Sequence, residues 1–176
     1  MIIRSNNIVY KATTVIWVIS LVIIMISCKK DKLICTGHMN YFPERNHDKV
    51  TIKKGIWGDI WFWEGDFMPF GMGTITPVSR DVRIHELTKL DDVVRTTYPY
   101  SAFYDRINTT LICSTRSDSY GFFEVELPTG SYSIFVVEDS LFYSNSYDGQ
   151  GNIYPFSVDS GEVTGIRFDI TYLAYY

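Results

Sequence analysis

Ser117-Asp118-Ser119-Tyr120-Gly121-Phe122-Phe123-Glu124-Val125-Glu126-Leu127-Pro128-Thr129-Gly130-Ser131-Tyr132-Ser133-Ile134-Phe135-Val136 reads as two turns and two strands in twenty residues. Ser117 to Gly121 gathers the residue types that close tight turns, and Gly121 is placed to supply a positive φ. Phe122 to Leu127 follows as a strand, with Phe123, Val125 and Leu127 on one face. Pro128-Thr129-Gly130 is a second tight turn, with Gly130 also expected at positive φ, and Tyr132 to Glu138 is the next strand. Short strands joined by tight turns set an all-β reading.

The same grammar extends in both directions. Upstream, Ile56, Gly58, Ile60 and Phe62 alternate with Trp57, Asp59, Trp61 and Trp63, a period of two, until Gly65-Asp66 breaks the strand. An edge strand is expected around Val50 to Lys53. A further extended run lies within Gly71 to Glu86, with Pro77 at an edge or bulge because it cannot donate to a ladder. There Val82, Ile84 and Leu87 are expected to share a face. Thr88 to Asn108 is irregular: Leu87 to Val94 suits a short helix, Thr96 to Tyr100 a loop, and the whole either packs across a sheet or forms a binding loop. Downstream, Thr109 to Arg116, Ile153 to Val158 and Val163 to Tyr175 are strands, and Ser144 to Asn152 is a loop. In the last strand Thr164, Ile166, Phe168, Ile170, Tyr172 and Ala174 face the core, while Arg167 and Asp169 face water. The expected fold is one antiparallel β-sandwich of about seven strands.

Composition agrees. Thirteen tyrosines and eleven phenylalanines favour a pleated surface. Met1 to Ser27 reads as a secretion signal: Arg4 and Lys11 give a positive start, and Ala12 to Ser27 is uncharged and mostly apolar. A transmembrane anchor is the alternative, but these sixteen residues fall short of the ~18–20 that span a bilayer. Met25-Ile26-Ser27-Cys28 resembles the lipobox of bacterial lipoproteins, which implies acylation of Cys28, a membrane anchor through that lipid, and a mature chain beginning there. The domain plan is therefore 1–27 signal peptide, 28–52 lipidated tether and edge segment, and 53–176 sandwich. Lys29 after the cysteine favours, by analogy with lipoprotein sorting, the outer membrane of a Gram-negative bacterium.

Without Arg4 and Lys11 the mature part keeps fourteen basic residues against twenty acidic ones, a net charge of about −6. That balance argues against nucleic acid as a partner, since phosphate neutralisation needs a basic face. Cys35 and Cys113 remain as either a disulfide or two buried thiols, with the spacing favouring neither.

Ser117 to Val136 resembles the carboxypeptidase regulatory-like family. Its signature is an aspartate-to-glycine turn, a strand ending in Leu-Pro, then a glycine and a tyrosine opening the next strand. Gly55-x-x-Gly58-x-Ile60 is similar to the family's first strand, and Tyr143 to Gly149 through Tyr172 to its stand-alone lipoprotein members in Gram-negative bacteria. The likeness covers roughly Lys53 to Tyr176 and departs at Thr88 to Asn108. It implies a transthyretin-like sandwich of seven strands and no catalytic residue, because in the peptidases this module is an accessory beside the zinc domain.

The residues themselves offer little chemistry. His38, His47 and His85 are scattered, without the close His/His/carboxylate spacing of a zinc centre, and are expected at the surface. There is no Gly-x-Ser-x-Gly elbow, and Gly71-Met72-Gly73 lacks a strand–helix context for phosphate binding. No enzyme activity, cofactor or metal is expected. Asp148-Gly149-Gln150-Gly151-Asn152 has one acid where a calcium loop wants several, so a plain turn is the better reading. The one candidate ligand face is Trp57, Trp61 and Trp63, which would stack on sugar rings if exposed. The preferred reading has Thr88 to Asn108 folded over these tryptophans and burying them. Expected partners are thus the membrane, envelope proteins or glycans.

Overall fold

Tight turns and period-two runs produce a structure whose regular elements, among the described residues, are strands and two single 3-10 turns. A computed structural model describes residues 33–34, 46–96 and 102–176. The signal segment, Cys28, Cys35, His38 and Thr97 to Tyr100 lie outside the described residues.

In chain order the strands are β1 (Leu33–Ile34), β2 (Gly55–Asp66), β3 (Thr74–Pro77), β4 (Asp81–Glu86), β5 (Val93–Arg95), β6 (Phe103–Ile107), β7 (Leu111–Arg116), β8 (Phe122–Val125), β9 (Gly130–Glu138), β10 (Leu141–Tyr143), β11 (Pro155–Val158) and β12 (Val163–Tyr175). They form two sheets. In the first, β2 is central: β12 lies along one edge, while β8 and then β3 share the other, with β1 beyond β3. The second runs β5-β6-β10-β9-β4-β7, with β11 also on β9. Strand β9 is long enough to hold β11 at Gly130–Ser133 and β10 at Val136–Glu138 along one edge, with β4 on the other.

The sheets share one core. Ile56 and Ile60 of β2, Phe123 of β8 and Ile166, Phe168 and Ile170 of β12 meet Val82, Ile84, Ile134, Val136 and Tyr143 from the second sheet. Those from β2, β4, β8 and β12 are the alternating inner residues that the period-two reading selects. Gly58 lies among them because the Phe123 ring occupies its side-chain space: a Cβ there would come within 2.6 Å of that ring.

Several expectations need correction. Strand β12 pairs with β2 in parallel, Val163 beside Gly55 through Ile170 beside Phe62, rather than antiparallel. No hairpin joins these two strands, so no local turn fixes their relative direction, and either direction would keep the same apolar residues on the inner face. Val50 to Lys53 is not a strand. A 3-10 turn at His47–Lys49 precedes it, and Thr51 donates its backbone N–H and hydroxyl to Glu124. Leu87 is 36% exposed, not beside Val82 and Ile84: it follows the end of β4 at Glu86, and its odd spacing from Val82 and Ile84 puts it on the other side of the alternation. Gly121 has φ +81° as expected, whereas Gly130 is not at positive φ and simply opens β9. In place of a short helix at Leu87 to Val94 there is a single 3-10 turn, Leu90–Asp92.

The described part of Thr88 to Asn108 extends the second sheet through β5 and β6. Leu90, Val93 and Ile107 pack around Tyr104, Phe135, Phe142 and Ile153 to make a second core on that sheet's other face. Phe135 alternates with Ile134 and Val136, so β9 is buried on both sides.

Candidate functional site

The odd-numbered face of β2, opposite the shared core, holds Trp57, Asp59, Trp61 and Trp63 in a row. Parallel pairing sets Gly165, Arg167 and Asp169 of β12 beside Trp57, Asp59 and Trp61. Gly165 lets the Trp57 indole lie flat across β12, its ring atoms 3.2 Å from where a Cβ would stand. The Asn46 side-chain amide donates to Asp59 and to the Tyr120 carbonyl, and His47 meets Trp57 edge-on at 5.7 Å. The Trp63 indole N–H donates to Asp169 Oδ1 at 2.8 Å, while Arg167 Nε holds both Asp169 oxygens at 3.0 Å. The Arg167 guanidinium lies 5.9 Å from the Trp61 ring and 5.8 Å from that of Trp63. Arg167 thus pairs with Asp169 and sets its cation on the aromatic π-surface.

This geometry changes the standing of the sugar-stacking residues. Trp57 is 6% and Trp61 2% exposed, so neither offers a free ring face; Trp63 is half-buried. The described residues of Thr88 to Asn108 are not their cover, since those pack on Phe135 instead. Arg167 and Asp169, read from alternation as facing water, are half-buried partners of the tryptophans. The signal for this was present as an Arg-x-Asp pair alternating with core residues in β12, but nothing local connects it to residues a hundred positions earlier.

From Trp63 the aromatic row continues to the end of the sheet. Trp63 and Phe67 are 5.0 Å apart, and Phe67 stacks on Tyr176 at 5.9 Å. The Phe67 N–H donates to the Tyr175 carbonyl at 2.8 Å, tying the chain after β2 to the last residues of β12. Beyond this tie, Met68, Phe70 and Met72 stand exposed, as do Leu173, Tyr175 and Tyr176. Phe70 is 104% exposed. Sequence reasoning passed over this loop, whose signal is a run of thirteen uncharged residues from Phe67 to Ser79.

His85 contradicts its expected surface position. It is 5% exposed, edge-on to Phe135 and Phe142 beneath the second core. Its Nδ1 lies 3.1 Å from the Thr109 carbonyl, which can only accept, so Nδ1 carries the proton and Nε2 is a buried bare acceptor without a partner among the described residues. Burial holds the pKa below its ordinary 6.5, the Thr109 carbonyl opposes this, and nearby Arg83 adds to it. The unfolded chain therefore binds a proton near pH 6.5 that the folded chain refuses. Stability is expected to fall as pH drops below about 6.5, towards the lower folded value. Urea midpoints at pH 7.5 and pH 5.5 check this, and His85→Gln should flatten that part of the dependence.

The remaining candidates carry no site. Asp148 accepts from the backbone N–H of Gln150 and Asn152 and from the Asn152 amide, which holds its carboxyl below the ordinary range. An oxygen set already filled by N–H donors closes a turn rather than a cation shell. Among the described residues no group of three His, Cys, Asp or Glu is placed to hold a metal. Cys113 is a free, half-buried thiol whose pKa burial pushes up.

No family model, curated protein or solved structure matches this chain.

Proposed function

We propose that this chain is a non-enzymatic, lipid-anchored protein of the cell envelope, with a carboxypeptidase regulatory-like β-sandwich in a binding or structural role. The observation that carries the reading is Met25-Ile26-Ser27-Cys28 at the end of an uncharged apolar stretch, followed at once by Lys29-Lys30-Asp31-Lys32. Three further features support it. The mature part is acidic, the described residues are all-β in two sheets around one core, and Asp118 to Gly121 closes a turn in which Asp118 accepts the Tyr120 and Phe122 N–H groups. Placement in the outer membrane of a Gram-negative bacterium follows from Lys29 by analogy alone.

The test is acylation. Cys28→Ala is expected to abolish incorporation of a palmitate analogue and to leave the precursor uncleaved by lipoprotein signal peptidase. Label persisting in the mutant would remove the anchor and the reading with it.

A glycan-binding role is a second reading, narrowed to Trp63, which keeps partial access beside the polar pair Arg167 and Asp169. Trp61→Ala would excavate a buried site and confuse binding with folding. Trp63→Ala is the cleaner substitution: glycan-array binding lost in that variant, with near-ultraviolet circular dichroism retained, would favour this second role.

A further inference from the structure

The exposed loop after β2 has no counterpart in the reading above, and its backbone is strained. Asp66 accepts the Met68 N–H, and the Gly71 N–H closes a turn onto the Met68 carbonyl at 2.8 Å, with Pro69 second and Phe70 third. Phe70 has φ +73°, a conformation that side chains other than glycine's rarely adopt. The turn thus holds an aromatic ring out in solvent at a position where glycine would relax it. Strain of this kind persists where the surroundings impose it and marks a site of function. Met72 follows on the loop, also exposed, and at the loop's start Phe67 stacks on Tyr176 and its N–H bonds to the Tyr175 carbonyl.

We propose that this tip, Phe67–Gly73 with Tyr175 and Tyr176, dips into the lipid bilayer to which the chain is tethered and sets the sandwich end-on to the membrane. The proposal rests on the lipid anchor argued above. Its occupant follows from three observations. The tip is a convex apolar loop without a charge between Asp66 and Arg80, which suits hydrocarbon rather than a charged partner. Tyrosines at its rim are amphipathic rings of the kind that settle at headgroup level. The tether is also short: Cys28 precedes Leu33 by five residues, at most about 18 Å of chain, which keeps the β1 edge of the first sheet close to the bilayer. Leu33–Ile34 pairs antiparallel with β3, Leu33 opposite Ile75 and Ile34 opposite Thr74, so the chain passes from the Pro77 side towards the loop end of that strand. The acidic rim at Glu64 and Asp66 indicates that attraction to anionic lipid is not what holds the tip.

The full acylated chain, with Cys35 and Cys113 replaced by serine, tests this in vesicles carrying doxyl-labelled lipid. An environment-sensitive fluorophore is placed at Phe70→Cys, or at Ser160→Cys in the turn between β11 and β12. That turn lies at the other end of β12, about 40 Å away. The expected result is roughly threefold or greater quenching at position 70 relative to 160, equal in phosphatidylcholine and in vesicles containing phosphatidylglycerol. Equal quenching at the two positions, or quenching only with anionic lipid, overturns the proposal; so does a photo-crosslinker at 70 that captures protein instead of lipid in native envelopes. Phe70→Gly supplies a variant whose fold is secure, because glycine relaxes the turn. It should keep palmitate labelling and an equal or higher Tm, yet lose most quenching of a probe at Met72→Cys. Palmitate incorporation is read separately. If the label is absent while position 70 is still selectively quenched by added vesicles, the anchor fails and the tip stands.

Discussion

Truncation after Glu162 is expected to leave a chain that does not fold. The lost segment is β12, which lies in parallel along β2 from Gly55 to Asp66 and supplies Ile166, Phe168 and Ile170 to the shared core. Burial of these three is worth roughly 1.5–3 kcal/mol each. Their sum is comparable with the whole ~5–15 kcal/mol stability of a domain. Removal also strips the partner edge of β2 and exposes Trp63 and Trp61 to water without Asp169 and Arg167. Tyr172 counts for less than alternation suggests. It is 38% exposed, although its hydroxyl donates to buried Glu138 at 3.0 Å, which with burial raises its pKa to about 12. The check is thermal or urea unfolding of the truncated chain; a soluble product with a cooperative transition would show that the sandwich closes without its last strand.

Gly121→Val is expected to lower the Tm by on the order of 10 °C. Gly121 sits at φ +81°, where a side chain costs about 1–2 kcal/mol. Space is the larger problem. A Cβ at this position would lie 2.5 Å from the Ile60 carbonyl oxygen, and the Ile60 N–H donates to the Gly121 carbonyl at 3.0 Å. Valine must therefore push the turn off the backbone of β2, at about 1–3 kcal/mol more. Gly130→Ala is the control. Its φ is not positive, and its new Cβ would meet the end of the Tyr132 side chain at 3.0 Å, a neighbour that moves more readily than backbone. Differential scanning calorimetry of both variants separates the two cases, and an unchanged Tm in Gly121→Val would remove this turn from the determinants of the fold.

That the chain is all-β, where most of its strands run and which residues of β2, β8 and β12 face the shared core can be read from the amino acids. Those properties are local: a period of two and turn chemistry act over a few residues, so they can be read from Ile60, Phe123 or Phe168 and their neighbours. The Met25-Ile26-Ser27-Cys28 stretch on which the proposed anchor rests is local too. Tertiary structure alone decided the direction of β12 against β2, because no turn links them. It decided that β9 is covered on both faces, which takes His85 from the expected surface to a site against Phe135. It buried Trp57 and Trp61 against β12, with Trp61 beside Arg167 and Asp169 more than a hundred positions away, and not under the described residues of Thr88 to Asn108. Pairing over such distances is set by which faces fit once the sheets close, and nothing in the spacing of either segment encodes its partner.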